Sequence, residues 1–272
     1  MLKTSDSSQL EQLVSVVLAS SKYHTISPDL VRSIGMQELG KRRNLKEALK
    51  ATKNKLHQVG GAYLDGREDY ATWLTLLDAA LCSGNTAALQ QVSRQIMSNH
   101  ASTRERLSIL DQFYSTILAD CAPVHSILDI ACGLNPLALH WMPLAEDIEY
   151  YAYDIYQNMM DFLAQYLLRL NIRVHAHVCD VIQSCPTHEV DVAFVLKAIP
   201  CLEQIDKQAG KRLLRSLNAR QMVVSFPIHS LGGKSKGMVS YYEAHFRTLV
   251  DDEPWQVKRF EFATELAFLV TK

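Results

Sequence analysis

From residue 125 onward the chain alternates short apolar runs with helical patterns, and this alternation restricts the fold more than any other feature of the sequence. Apolar runs cover 125–131, 148–154, 174–179, 190–196, 222–226, 257–262 and 266–270, with helical patterns between most of them, clearest at 159–170. Runs of this length separated by helices predict an α/β fold with a doubly wound, mostly parallel sheet. Such sheets hold ligands just beyond the carboxyl ends of their strands, so the residues found there speak most directly to function. They are Ala131-Cys132-Gly133 after the first run, Asp154 after the second, Asp180 after the third, and Lys197 and Pro200 after the fourth.

A glycine at such an end allows a ligand close to the backbone, and an acid about 20 residues further on accepts from the hydroxyls of a ribose. Gly133 and Asp154 are 21 residues apart. The spacing fits an adenosine-containing cofactor, either a dinucleotide or S-adenosylmethionine, although a Rossmann-like domain with a merely structural turn would show it too. No G-x-G-x-x-G is present. Without a tight diphosphate loop the pattern favours S-adenosylmethionine, which has no phosphate to cradle.

Residues 1–104 read as helical. Leu10, Leu13, Val14, Val17 and Leu18 recur at helical spacing after Asp6-Ser7-Ser8, and Ser27-Pro28-Asp29 predicts a capped helix start that turns Leu30, Val31 and Ile34 inward. A third helix is expected over 44–59, and two more over 70–81 and 86–97 around the turn Ser83-Gly84-Asn85. In the third, Lys46, Lys50 and Lys53 fall at i, i+4 and i+7 and share a face. Ser102 and Glu105 then have capping-box spacing ahead of Leu107, Leu110, Phe113, Tyr114, Ile117 and Leu118. The organisation expected is an all-α domain over 1–104 followed by a Rossmann-like domain over 105–272.

Charge separates the same two regions. The formal net charge is -1, yet residues 1–104 hold 13 Lys/Arg against 9 Asp/Glu, and residues 105–272 hold 15 against 20. Residues 22–55 alone hold 9 basic side chains against 3 acidic ones. A local basic patch on a near-neutral protein suggests either a polyanionic partner or a solvated helical face. Cys82, Cys121, Cys132, Cys179, Cys185 and Cys201 form no C-x-x-C pair and no zinc spacing, so no metal is expected. The polar start and the lack of about 18 consecutive apolar residues predict an unexported, cytoplasmic protein with no membrane partner, taken as a monomer by default.

Five segments carry a resemblance to a known family: 55–63 (KLHQVGGAY), 100–107 (HASTRERL), 129–138 (DIACGLNPLA), 196–203 (LKAIPCLE) and 225–238 (SFPIHSLGGKSKGM). Together they resemble the aminoglycoside-resistance 16S rRNA (guanine(1405)-N(7))-methyltransferases, in the family's order. The resemblance implies S-adenosylmethionine as cofactor and 16S rRNA within the 30S subunit as partner. It implies that Tyr63, His100, Ala101, Ser102 and Arg106 reach over the cofactor from the helical side, while Ala131 and Gly133 lie beneath it. Asp154 would take the ribose, Cys179 and Asp180 would flank the adenine, and Leu196 with Gln204 would close the pocket. Two departures stand out: His229 replaces the usual Lys or Arg, and Ala263-Thr264-Glu265-Leu266-Ala267-Phe268 replaces roughly Gly-x-Glu-Leu-Ile-Tyr.

Guanine N7 carries an in-plane lone pair, so its methylation from a sulfonium needs no general base, only positioning near ~3–3.5 Å from the methyl carbon. That agrees with the lack of a His/Asp or Cys/His pair. Glu265 is the candidate for stabilising charge that develops on the purine or accepting from its N1 and N2 donors, and Lys197 and Arg106 complete the catalytic candidates. The base must be flipped out of its helix and its flanking phosphates gripped. Lys234 and Lys236 would hold phosphate, as would Lys197 unless it pairs with a local acid, and Met238 or Tyr241 would support the base. Lys46, Lys50, Lys53 and Lys55 would dock on rRNA through shape and phosphates. The competing readings are a small-molecule methyltransferase, an RNA-binding relative without catalysis and, last, a nicotinamide dehydrogenase.

Overall fold

A computed structural model describes residues 4–64, 68–121, 123–228 and 237–272. Seven helices come first. Helix α1 (Thr4–Leu18) precedes α2 (Pro28–Leu39), whose first turn is closed by the Ser27 side chain accepting from the Leu30 amide. Helix α3 (Leu45–Leu56) begins where Asn44 accepts from the Glu47 amide. It does not stop at Leu56 but runs into a π-helical turn, His57–Gly61, that the 3.6-residue pattern did not distinguish from helix. Gly60 is required in this turn: a Cβ there would lie 2.7 Å from both the Tyr156 hydroxyl and Ile155 Cδ1.

Helices α4 (Tyr70–Cys82) and α5 (Thr86–Met97) are capped by Asp69 and Asn85 and match the expected pair closely. The capping box expected at Ser102 is not formed. Ser102 lies inside the short helix α6 (Ala101–Arg106), whose N-cap is His100, and α7 (Leu110–Leu118) starts separately without a side-chain cap. Thr103 explains the shift, because its hydroxyl donates to the Met97 and His100 carbonyls and fastens α6 to the end of α5.

Strands β1 (Ser126–Ile130), β2 (Glu149–Asp154), β3 (Arg173–Val178), β4 (Val190–Leu196), β5 (Ala219–Pro227), β6 (Gln256–Glu261) and β7 (Glu265–Thr271) form one sheet in the order β3-β2-β1-β4-β5-β7-β6. The first five are parallel, and β7 inserts antiparallel between β5 and β6. This is the expected α/β, mostly parallel architecture. Helices α8 (Gln157–Arg169), α9 (Ile199–Ile205), α10 (Ala209–Ser216) and α11 (Met238–Val250) connect the strands. No helix fills residues 179–189 between β3 and β4; this irregular segment leaves the carboxyl end of β3 and crosses back to the start of the parallel strand β4.

Side chains alternate between two cores, as the two-residue period of a strand requires. Ile127, Phe194 and Leu269 enter one, while their neighbours Leu128, Val195 and Phe268 enter the other. The first core is continuous with the helical region: Leu13, Ile34, Trp73 and Leu77 share it with Tyr150, Phe162 and Phe194. Phe162 of α8 is 1% exposed and packs its ring 5.2 Å from Tyr70 and 5.7 Å from Trp73 of α4. Among the described residues no helix is long and apolar enough to cross a membrane. Phe162→Ala is expected to destabilise the protein by about 3–5 kcal/mol. Calorimetry should show the helical region and the sheet melting together, since two transitions of which one is unmoved would contradict a shared core.

Candidate functional site

The strand order reverses direction between β1 and β4, and a cleft opens over the carboxyl ends of β1 to β4. The backbone there is unusual. Ala131 (φ 51°) and Lys197 (φ 58°), the residues leaving β1 and β4, both hold the left-handed conformation that side chains rarely adopt, as does Gly133 (φ 52°). At Gly133 a Cβ would lie 2.7 Å from the His100 ring, so α6 can press onto the turn only with glycine in place. The Gly133 amide donates to Asp154 Oδ2 (2.8 Å) and the Ile155 amide to Oδ1 (2.6 Å), which orients the carboxylate at the end of β2. Burial raises the Asp154 carboxyl above its ordinary range, against the lowering effect of these amides.

At the other end of the cleft, Asp180 Oδ1 accepts from the Ile182 amide, whereas the buried Oδ2 has no hydrogen-bond partner. Desolvation raises this carboxyl too. A buried acceptor without a donor is costly unless a ligand supplies one. An adenine amino group at Asp180 and a ribose diol at Asp154, between the apolar walls of Leu30, Val181, Leu196 and Leu202, meet both requirements. The donor set therefore fits an adenosyl group.

The helical side closes the cleft with Tyr63, His100 and Ser102. The Tyr63 ring lies 6.0 Å from that of His100, nearly parallel to it, and its hydroxyl meets Cys201 Sγ at 3.0 Å. Below the cleft floor runs a buried charge network. Arg106, 1% exposed, donates from Nε to Glu265 Oε2 (3.0 Å), from Nη2 to Glu265 Oε1 (2.8 Å) and from Nη1 to Asn135 Oδ1 (2.8 Å). Asn135 passes the network on to Asp129 Oδ2 (2.9 Å). Lys197 Nζ donates to the Ser102 carbonyl (2.7 Å) and to Glu105 (2.9 Å), and lies 3.5 Å from Glu265. Burial by itself would raise the Glu265 carboxyl, but the charges of Arg106 and Lys197 outweigh it and hold the group below its usual value. Asp129 is pushed up to about 7 by burial, which outweighs the lowering by the Asn135 and Tyr150 hydrogen bonds and by the charge of Arg106.

Against this geometry stand the comparisons with known proteins. A family model described as ribosomal RNA methyltransferase (FmrO) matches residues 19–269. The chain belongs to the ribosomal RNA methyltransferase (FmrO) family. It is 34% identical, over the full length of both chains, to the 16S rRNA (guanine(1405)-N(7))-methyltransferase of Micromonospora rosea. It is 35% identical to the one from Serratia marcescens, over 94% of this chain and 96% of that one. Among solved structures it is similar to the 16S rRNA methyltransferase RmtF in complex with S-adenosyl-L-homocysteine, with TM-score 0.82 and 29% identity over 100% of both chains. It is also similar to the 16S rRNA methylase RmtB, with TM-score 0.78 and 30% identity over 97% of this chain and 98% of that one.

In this member of the FmrO family the cleft gathers most residues singled out from the sequence: Tyr63, His100, Ser102, Ala131, Asp154, Cys179, Asp180, Leu196 and Lys197. Five others are not on its lining, and Gly133 is one of them: it sits in the turn after Ala131 with the His100 ring against it. The Gln204 side chain is exposed outside the cleft, where Ile205 takes the lining position, because α9 turns that neighbour inward. Ala101 is buried behind the wall, its amide donating to the Tyr63 carbonyl (2.8 Å). Arg106 does not reach over a cofactor, since Glu265 and Asn135 hold its guanidinium inside the protein. Glu265 is 0% exposed with both oxygens engaged, so it does not present a free carboxylate to a guanine. Lys197 pairs with local acids and is 4% exposed, which removes it from the surface where an rRNA phosphate would lie.

Of the basic candidates, Lys46 and Lys50 are exposed and Lys53 half-buried. Lys55 instead donates to the Gln204 carbonyl (3.3 Å) and approaches Glu38 (3.8 Å). Lys234 and Lys236 lie outside the described residues, and Met238 opens α11. Sequence reasoning missed Leu30, Gly60, Tyr156 and Cys201 as cleft residues. The paired glycines at 60 and 61 were the available signal for the close approach made there. Among the described residues no group of three or more His, Cys, Asp or Glu is placed to hold a metal ion.

Because its folded carboxyl is depressed below 4.5, Glu265 contributes stability in full above that value and loses it as the pH falls through the folded-state value. Glu265→Gln is expected to cost about 3–5 kcal/mol at neutral pH by leaving Arg106 and Lys197 undercompensated. Urea unfolding should show the difference from wild type narrowing as the pH is lowered below 4.5.

Proposed function

We propose that the chain is an S-adenosylmethionine-dependent 16S rRNA (guanine(1405)-N(7))-methyltransferase that acts on the decoding site of the 30S subunit and thereby confers aminoglycoside resistance. What carries the reading is a cleft whose two buried carboxylates fit an adenosyl group, in a chain similar along its whole length to enzymes of that name. The work is cytoplasmic, where ribosomes are, and a single copy of the chain contains every residue it requires.

S-adenosylmethionine, when bound, supplies an electrophilic methyl group. Asp180 and Asp154 hold its adenine and ribose, and the apolar walls keep water from the reacting centre. Tyr63, His100 and Ser102 close the cleft from the helical side. The guanine N7 attacks with its own lone pair, so no side chain has to take a proton. What remains for the protein is alignment, which is worth as much as 7–11 kcal/mol of barrier in well-oriented systems. Lys197 is the cationic group on the cleft lining. Arg106 and Glu265 act through it as positioning residues, fixing α6 against the ends of β4 and β7. Residues 1–104 form the docking part through Lys46, Lys50 and Lys53, and Lys234, Lys236 and Met238 complete the RNA-facing set.

Purified protein given radiolabelled S-adenosylmethionine and 30S subunits should label one base that is then cleaved by N7-methylguanine-specific chemistry. No label in 30S or free 16S rRNA from a protein that binds S-adenosylhomocysteine would defeat the reading and favour a small-molecule acceptor. Gly133→Ala, with φ 52° and a Cβ 2.7 Å from the His100 ring, is expected to weaken S-adenosylhomocysteine binding at least about tenfold by calorimetry. The double variant Lys46→Glu, Lys50→Glu should bind 30S subunits more weakly, with a shallower salt dependence, and bind S-adenosylhomocysteine as wild type does. Loss of both affinities would contradict the division between docking and cofactor binding.

A further inference from the structure

Helix α11 places His245 four residues after Tyr241 and three after Tyr242, so that its ring lies on the same side of the helix as theirs. Two of the three are anchored. Tyr242 is half-buried and stacks its ring 4.9 Å from Phe226 at the end of β5, and His245 Nε2 meets Glu203 of α9 at 2.7 Å. Helix α9 also carries Cys201 and Leu202 of the cofactor cleft, so α11 is fastened to the cleft rim.

Tyr241 differs from its neighbours. It is 63% exposed, the most exposed aromatic ring among the large hydrophobic side chains described. Its ring lies edge-on to Tyr242 at 5.2 Å and near-parallel to His245 at 6.3 Å. Those contacts set its plane on a rigid helix while most of the ring stays open to solvent. Tyr63 is fastened to the same helix α9, its hydroxyl meeting Cys201 Sγ at 3.0 Å. Tyr63 then lies against His100 inside the cleft. Tyr241, through His245 and Glu203, and Tyr63, through Cys201, are thus both tied to α9 at the rim of the cleft.

We propose that Tyr241 is a stacking platform for a purine base of the RNA at the mouth of the cofactor cleft, bearing the base that has left its helix as it moves toward the methyl donor. The proposal rests on the rRNA-methyltransferase reading. A base taken out of a duplex loses its stacking on both faces, and an aromatic ring restores part of it without regard to sequence. A ring already oriented by Tyr242 and His245 loses little freedom when the base arrives.

The experiment measures single-turnover methylation of 30S subunits, 30S affinity and S-adenosylhomocysteine affinity for wild type, Tyr241→Ala and Tyr241→Phe. Stacking on one ring is worth about 1–3 kcal/mol, so the alanine variant should transfer methyl roughly 5- to 150-fold more slowly. The phenylalanine variant should stay within about twofold of wild type, and both should bind S-adenosylhomocysteine unchanged. A change confined to 30S affinity with an unaltered saturated rate would place Tyr241 on the docking surface and overturn the role at the flipped base. So would an alanine variant of wild-type rate, or a phenylalanine variant as slow as alanine, which would assign the effect to the hydroxyl. If wild type labels no RNA, the functional reading fails and the platform with it; if wild type labels and only the variants disagree, the platform alone is wrong.

Discussion

The Arg106–Glu265 pair is the joint on which the site depends. Its members are 159 residues apart in sequence, one closing α6 in the helical region and the other opening β7 between β5 and the edge strand β6. Burying two charges has a desolvation penalty that a single contact seldom repays. Here the bidentate geometry, the Ser225 hydroxyl on the same carboxylate and Asn135 on the guanidinium satisfy most of the polar atoms involved. A pair of this kind fixes register more than it adds stability, because any other docking of α6 would leave a charge alone in the interior.

What the joint fixes is the height of α6 over the sheet. His100 has to press on Gly133, and Ser102 has to offer its carbonyl to Lys197, for the cleft to have its helical wall. The left-handed residues Ala131 and Lys197 belong to the same arrangement. Each turns the chain sharply at the end of a strand, and the strain is held by the packed surroundings on both sides. The cleft is therefore assembled from both parts of the chain, in keeping with the single apolar core that crosses residue 104.

Much of this was legible beforehand. The strand at 190–196 agrees residue for residue with its apolar run, and the helix at 86–97 with its periodic pattern, because both have clear periods and clean turn residues. Ser27 caps its helix as its position before Pro28 suggested. The failures share a cause. Ser102 has cap spacing, yet Thr103 bonds back to α5 and moves the helix start, a tertiary choice that local spacing does not contain. Arg106, Lys197 and Glu265 were singled out as charged groups near a cofactor. Whether a charged side chain faces a ligand or another charged side chain depends on partners more than 90 residues away. Tyr156 and Leu30 line the cleft as ordinary apolar side chains, which no motif marks.

The position of β7 has a further consequence for the life history of the protein. It is the last strand in chain order but not the last in space: it separates β5 from β6 and is hydrogen-bonded to both. Until residues 265–271 have emerged from the synthesising ribosome, β6 has no neighbour, the β5 edge lies open and Arg106 has no counter-charge. The wall of the cleft that α6 forms is therefore locked by the strand made after every other element of the sheet.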